Sequence, residues 1–367
     1  MEKKRLLYVV ESFGGGVFSY LCELCGGLSE RYDIYVAYSL RQETPADFTK
    51  YFPENIKFIK LENFGREIQL KSEIKAVKEL KQIISKVEPH VVHLHSTKAG
   101  VIGRLVLWFS HIPVFYTAHG YSFFMADAGK AKRLAYKMIE KICAMSRCIT
   151  VACSKNEYET AKKLSRKSLY VNNGINIKSF DKLIENCDKE SDGLTVYTLG
   201  RICHHKNPRL FNQIAEHFPN IRFVWIGDGE DREELKSSNI TVAGWLDRDE
   251  AVRMAAGCDV FLMTTMGEGL SLSLLESMYM GKVCIVSNVS GNCDVIRDGE
   301  NGFLCTGEED YVKALEKVIN GDDDLDKLRE NAKNDVIKLY NTDKMCAEYS
   351  NIYDGIKNMV DIVKKSS

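Results

Sequence analysis

The sequence predicts an α/β protein made of two successive open, parallel-sheet domains. Short apolar, β-rich runs alternate with segments of helical period, the pattern of a parallel sheet covered by helices on both faces. The alternation stops in the polar stretch Asp181 to Gly193 and then restarts. The chain has 367 residues, more than the roughly 250–300 that a single core supports.

In the first half, Leu6–Val10, Ile34–Tyr38, Val91–His95, Val114–Ala118 and Ile149–Ala152 read as strands, with helical patterns such as Ile68–Val87 between them. "LYVNNGINIKSF" then leads into the polar stretch, whose composition marks a linker. The strand pattern resumes at "LTVYTLG" (194–200) and continues with "IRFVWIG" (221–227), "ITVAG" (240–244), "DVFLMTT" (259–265) and "KVCIVSN" (282–288). The acidic run 321–327 reads as a loop and helix cap, and a last helical pattern spans roughly Tyr340 to Val363.

Hydrophobic residues make up 45% of the chain and charged residues 28%, as in ordinary globular proteins. A formal charge of −1 gives no bulk attraction to nucleic acid or anionic lipid, so no nucleic-acid partner is expected and a lipid partner needs a local patch. Leu6–Val10 runs into Glu11 and is too short for the apolar part of a signal peptide. The apolar stretch 99–116 is broken by Arg104, His111 and Pro113, so it reads as a helix and a strand rather than a membrane span. Twelve cysteines are scattered along the elements, and Cys22 and Cys25 form a CxxC with no second pair at zinc spacing. They read as reduced, mostly buried thiols of a cytosolic protein.

"LLYVVESFGGGVFSYL" (6–21) has the form of a phosphate-binding strand-to-helix turn. A dinucleotide fingerprint puts a third glycine three residues after the second and an acid about twenty residues on. With Gly14 and Gly16 as the first two, the third position is Ser19, and the second strand ends "VAYSL" without an acid. NAD is therefore disfavoured. Glycines still let the backbone approach a ligand, and free amides at a helix start favour anions. The plainer alternative is a tight structural turn.

In the second half, "LGRICHHKN" places Arg201 and Lys206 directly after a strand, where ligands of open α/β sheets bind, and two cations suit a diphosphate. "MTTMGEGLSLSLLESMYMG" separates Glu268, in a turn, from Glu276, on the following helix, by seven residues. The helix start between them can hold a phosphate, and Glu276 can accept from ribose hydroxyls.

These segments together resemble a retaining glycosyltransferase of the GT-B architecture, in glycosyltransferase family 4, which is marked by Glu-x7-Glu. The ordered set is "GGGVFSYL", "VVHLHSTKAGVIGR", "YTAHGYSF", "VACSKNE", "VNNGIN", "GRICHHKN", "WIGDGEDREEL", "AGWLDRDE", "GEGLSLSLLE" and "DGENGFL". "HSTKAGVIGR" and "HGYSF" look most like bacterial capsular and exopolysaccharide enzymes. The resemblance implies two Rossmann-like domains facing across a cleft. Residues 1–178 would bind the acceptor, 179–339 would bind the nucleotide sugar, and a helix at about 340–367 would cross back to the first domain. It further implies that Arg201 and Lys206 clamp the diphosphate and that Glu276 binds ribose. Glu268 and His119 would lie by the donor sugar, and Gly15 and Gly16 over the phosphates and acceptor. Gly269, Leu270, Ser271 and Leu272 would line the donor site. Where the family often has Glu-Gly-Phe-Gly-Leu-Pro, this chain has Glu-Gly-Leu-Ser-Leu-Ser, which leaves the donor sugar open.

Asp247-x-Asp249 and Asp322–Asp324 fit a metal-binding string, but the first opens a helix, where acids are common caps, and the second lies in a polar loop. Side-chain cations and helix amides can stabilise the leaving group instead, so neither a metal nor another cofactor is expected. No acid stands out as a nucleophile, and the family's retention implies front-face attack with the leaving phosphate taking the acceptor's proton. His93 and His95 share a strand face without an apparent third metal ligand, which favours structural or acceptor-side roles. His204 and His205 either line the donor site or fill the loop.

Residues 130–147 set Arg133, Lys137 and Lys141 beside an apolar stripe of Leu134, Met138, Ile142 and Met145. Core packing of the stripe is the favoured reading. The competing one is a peripheral contact with the inner face of the cell membrane. The expected function is transfer of a sugar from a nucleotide donor, UDP-linked, to a lipid-linked oligosaccharide, by a hexosyl- or N-acetylhexosaminyltransferase. A nucleotide-sugar epimerase or phosphorylase of the same fold, or a non-catalytic scaffold, are the rivals. The intact set of Arg201, Lys206, Glu268 and Glu276 argues against a scaffold.

Overall fold

The computed structural model describes residues 2–65, 70–124, 129–185, 187, 193–321 and 324–355. Their contacts divide the chain into two compact units: Met1–Asn173 with the segment from Thr342 onward, and Gly174–Asn341.

The first unit holds one parallel sheet of seven strands: β1 (Lys4–Phe13), β2 (Tyr32–Leu40), β3 (Lys57–Lys60), β4 (Val91–His95), β5 (Val114–Thr117), β6 (Ile149–Ala152) and β7 (Ser168–Tyr170). Their order is β3-β2-β1-β4-β5-β6-β7. The helices α1 (Gly15–Leu28), α2 (Leu70–Val87), α3 (Thr97–Val106), α4 (Lys130–Cys143) and α5 (Lys155–Leu164) connect successive strands. The sheet is the core: Leu6 to Val10 of β1 are fully buried, as a strand covered on both faces must be.

The second unit opens with α6 (Ile177–Ile184) and carries a parallel sheet of β8 (Thr195–Leu199), β9 (Arg222–Ile226), β10 (Ile240–Gly244), β11 (Val260–Met263), β12 (Val283–Ser287) and β13 (Phe303–Cys305), in the order β10-β9-β8-β11-β12-β13. Its remaining helices are α7 (Pro208–His217), α8 (Arg248–Ala256), α9 (Leu272–Tyr279), α10 (Asn292–Val295), α11 (Glu308–Asn320) and α12 (Leu325–Leu339). In each sheet the winding reverses once, between β1 and β4 and between β8 and β11. The carboxyl ends of the strands at such a switch point are where open α/β sheets bind ligands.

The last described helix, α13 (Thr342–Asp354), belongs to the first unit and packs along α1. Gly27 makes the approach possible, since a Cβ there would meet Cys346 Sγ at 2.4 Å. Thr342 Oγ1 donates to Glu23 Oε2 (2.9 Å), the Tyr20 and Tyr349 hydroxyls bond at 2.6 Å, and Asp354 receives Lys4 and Arg31. The remainder of the helical pattern read from the sequence, residues 356–367, lies outside the described residues.

Several local expectations are corrected. β1 does not stop at Val10 but runs to Phe13, because Glu11 is buried against Arg41 and its charge is compensated there. The short strands β3, β7 and β13 had no apolar run to announce them. α6 occupies the first part of the polar stretch read as a linker, and its Asp181 accepts a hydrogen bond from Tyr279 of α9 (2.7 Å).

The apolar stripe of α4 does not pack in the core. Leu134, Met138, Ile142 and Met145 are 60%, 56%, 52% and 75% exposed. The face that packs inward carries Tyr136, Glu140 and Cys143, about half a helical turn away from Leu134 and Met138. Arg133 also departs from the expected row of free cations, because its Nε donates to Phe123 O (2.9 Å). No helix among the described residues is long and apolar enough to cross a membrane. Nine of the twelve cysteines are buried, and all are free thiols.

Candidate active site

The second unit gathers most of the expected residues at the carboxyl end of its sheet. β8 runs out into Gly200 and Arg201. Gly227, after β9, lies so close that a Cβ on it would meet Gly200 O at 2.2 Å, and its φ is +138°. Only glycine allows that approach. A 3-10 turn, His204–Lys206, follows. Residues after β11 staple it: Thr264 Oγ1 donates to Lys206 O (2.9 Å) and Asn207 O (3.1 Å), and Thr265 Oγ1 to His205 O (3.1 Å). The His205 ring bonds Gly267 O through Nε2, so this histidine ties the two loops together.

The staple brings Lys206 Nζ to 2.5 Å from Glu268 Oε1. Burial alone would push the Glu268 carboxyl up, but Lys206 beside it, together with His205 and Thr265, outweighs burial and holds its pKa below the ordinary value. The Glu268 loop is fixed from behind by Gly291, whose φ is +88° and where a Cβ would meet Gly269 O at 2.1 Å. Arg201 stands 3.6 Å from Glu230 Oε1, a half-exposed pair of little energetic weight.

Glu276 is buried on α9 and receives Arg248 Nη1 at 2.8 Å. Burial raises its pKa while Arg248 opposes the shift. Between the two glutamates, α9 begins without a side-chain cap, and the Ser271 hydroxyl bonds Ser273 Oγ (2.9 Å) instead. Its first-turn amides thus lack a side-chain acceptor among the described residues, the condition for anion binding at a helix start. Leu270 and Leu272 bury their side chains, so they can offer a ligand only backbone, while Gly269 and Ser271 are half-buried.

The first unit brings Gly14–Gly16 and His119 to the carboxyl end of its own sheet. α1 begins at Gly15 with Gly14 as its uncapped N-cap. Gly15 has φ +52°, and a Cβ at Gly15 or Gly16 would meet nothing within 4 Å, so the helix start is open. His119 follows β5 with φ +55°, a left-handed conformation unusual outside glycine. Burial lowers its pKa to about 3. His93 is enclosed, with Nδ1 2.6 Å from Tyr353 Oη and Nε2 2.9 Å from Thr117 Oγ1, which makes it structural.

Three groups at these loops were not found from the sequence. Arg248 lies 28 positions from its partner Glu276, beyond any local signal. Thr264 and Thr265 read as the tail of a strand. Glu157 stands three residues after Ser154, the string of a capping box, and Ser154 does cap α5. Its carboxylate, however, accepts from Gly120 N (3.0 Å) and Cys153 N (2.7 Å), and so holds the turn that carries His119. That string was the available signal.

The chain matches two family models in tandem, Glycosyltransferase Family 4 over residues 14–179 and Glycosyl transferases group 1 over 179–335. The chain belongs to glycosyltransferase family 4. This glycosyltransferase is 28% identical over 359 residues, 89% of each chain, to the UDP-Gal:alpha-D-GlcNAc-diphosphoundecaprenol alpha-1,3-galactosyltransferase of Escherichia coli. It is 30% identical to an uncharacterized 41.2 kDa protein in the cps region of Klebsiella pneumoniae, over 60% of this chain and 66% of that one. The fold matches sucrose-phosphate synthase from Thermosynechococcus elongatus with a TM-score of 0.79, covering 96% of this chain and 99% of that one at 16% identity. The transferase therefore has the GT-B fold, with two parallel-sheet α/β domains and a C-terminal helix.

Two of the acids weighed for a metal, Asp247 and Asp324, cap helices in the transferase. Asp247 is the N-cap of α8 in a full capping box with Glu250, and Asp249 lies in the first turn. Asp324 caps α12, while Asp322 and Asp323 lie outside the described residues. No group of three candidate ligands converges among the described residues.

Proposed function

We propose that this glycosyltransferase moves a hexosyl or N-acetylhexosaminyl group, with retention of configuration, from a UDP-linked donor to a hydroxyl of a lipid-linked oligosaccharide in capsule or exopolysaccharide assembly. The observation that carries the reading is the sequence of groups around α9: the Lys206–Glu268 pair, an uncapped helix start, then buried Glu276. A cation and free amides suit a diphosphate, and a carboxylate beyond them suits a ribose diol. Lys206, Arg201 and the amides would stabilise the departing diphosphate without a metal. Gly269, Leu270, Ser271 and Leu272 would present backbone to the donor, and Gly15 and Gly16 would leave room for phosphate and acceptor. The UDP and diphosphoundecaprenol in the Escherichia coli relative's name support this choice of donor and acceptor.

Thermal shift with a panel of nucleotide sugars in excess EDTA tests it. A UDP-sugar is expected to raise the melting temperature, by the equivalent of about 2.7 kcal/mol at one hundred times its dissociation constant. A GDP- or ADP-sugar shifting it while UDP-sugars do not would overturn the choice of donor. Turnover lost in EDTA and restored by Mn²⁺ or Mg²⁺ would bring Asp247 and Asp249 back as metal ligands.

The exposed stripe of α4 supports a peripheral contact with the inner face of the membrane, where a lipid-linked acceptor resides. Lys137 and Lys141 flank Leu134, Met138 and Ile142, the arrangement of an interfacial helix. Changing both lysines to glutamine should weaken binding to anionic vesicles by about 1 kcal/mol each, less at high salt. Leu134→Ser with Met138→Ser should weaken it at every salt concentration. Binding that survives all four changes would make α4 an ordinary solvated face.

A further inference from the structure

Beneath His119 lies a histidine that the proposed reaction does not use. His95 is fully buried on β4, its Nδ1 is 3.0 Å from His119 Nε2, and its own Nε2 is buried with no hydrogen-bond partner among the described residues. Burial and the neighbouring histidines hold His95 neutral. One proton therefore lies between the two rings, and either ring can own it.

Proton accounting decides between them. Thr117 Oγ1 donates to Val151 O (2.8 Å), so it accepts from His93 Nε2–H (2.9 Å), and His93 Nδ1 then accepts from the Tyr353 hydroxyl (2.6 Å). Both nitrogens of His93, whose ring lies 4.1 Å from that of His95, are spent and offer His95 nothing. If His119 donated Nε2–H to His95 Nδ1, neutral His95 would carry its own proton on Nε2, an N–H buried without an acceptor. In the opposite arrangement His95 Nδ1–H donates to His119 Nε2, and His95 Nε2 keeps only an unshared lone pair. Orphaned buried N–H groups are the rarer and costlier defect.

We infer that His95 is a positioning residue that fixes His119 as the Nδ1–H tautomer, a neutral N–H donor for an oxygen of the bound nucleotide sugar. The inference rests on the proposed site role of His119. Among the described residues His119 Nδ1 makes no protein hydrogen bond. The ring is oriented by the His95 bond below it and by the edge of Tyr20, whose centroid is 4.7 Å away and whose hydroxyl is tied to Tyr349. His119 in this state cannot deprotonate an acceptor hydroxyl through Nε2, because that lone pair is already engaged.

Long-range proton–nitrogen correlation on protein labelled with ¹⁵N-histidine reads the tautomer directly, with the signals assigned by their loss in His119→Gln. The expected result is a pyrrole-type Nδ1 and a pyridine-type Nε2 on His119, and the reverse pattern overturns the inference. The kinetic arm uses release of UDP from UDP-glucose and UDP-galactose. His95→Leu should lower kcat about tenfold or more with KM little changed. His95→Asn, which keeps an N–H near the position of Nδ1, should recover most of it. Folded His95→Asn no better than folded His95→Leu overturns the positioning role. Unchanged turnover in His119→Gln would instead remove the site role on which the inference stands, and the nitrogen spectrum tells that failure apart.

Discussion

Glu140→Ala is expected to lower the unfolding free energy of the first unit by about 3–5 kcal/mol, the largest effect of any single change considered. Arg104 of α3 and Glu140 of α4 are 2% and 3% exposed and form an ion pair at 2.8 Å. The Tyr116 hydroxyl donates to the other Glu140 oxygen (2.9 Å), Arg104 Nε donates to Gly100 O (2.8 Å), and the guanidinium lies 4.1 Å from the Tyr116 ring centroid. Removing the carboxylate leaves a buried guanidinium with its charge uncompensated and a tyrosine hydroxyl without its acceptor. Replacing both partners by apolar residues of similar size, Arg104→Met with Glu140→Leu, should recover much of the loss, since an ion pair's desolvation offsets most of its attraction. Urea denaturation followed in the first unit measures both. A loss below about 1 kcal/mol for Glu140→Ala would mean that the site relaxes or hydrates, and that this pair does not anchor α4.

Lys206→Ala should weaken UDP binding by about 1.5–3 kcal/mol, the range for a hydrogen bond to a charged group, and lower turnover with it. Isothermal calorimetry with UDP reads the first quantity, and unchanged affinity would place Lys206 outside the donor site. The same substitution carries a second signature at Glu268. In the native protein this carboxyl's pKa is depressed, so it contributes stability that is present above its unfolded value and lost as pH falls through the folded one. Without Lys206, burial becomes the dominant influence and pushes the pKa upward. The contribution then changes sign, favouring the protonated form and declining as pH rises through the carboxylate range. Melting temperatures on the acid side should accordingly fall less steeply in Lys206→Ala than in the parent. Parallel curves would show that Lys206 does not govern Glu268.

Much of the candidate site was legible because it is local. Glycines at a helix start, cations just after a strand and a glutamate in the next turn each report on a few consecutive residues, and the order of the segments carried the family. The partners were not legible. Arg248 reaches Glu276 from another helix, and Glu157 spends a capping-box carboxylate on the turn of His119. In both cases the sequence offers a charged residue of ordinary type, and only the packing shows what it faces.

The sequence by itself determined two parallel-sheet domains, the position of most of their strands along the chain and the end of each sheet where the expected residues gather. Alternating periods and strand-to-helix turns are properties of neighbouring residues, so they survive without knowledge of the fold. Tertiary structure alone decided which face of α4 goes inward. Its sequence offers an apolar stripe of Leu134, Met138 and Ile142 and an opposite face of Tyr136, Glu140 and Cys143, and the local pattern favours burying the former. Buried Arg104 on the neighbouring helix requires a counter-charge, and only the face with Glu140 supplies one. An unpaired guanidinium buried there would be strongly destabilising, and with the Glu140 face turned inward the apolar stripe faces outward.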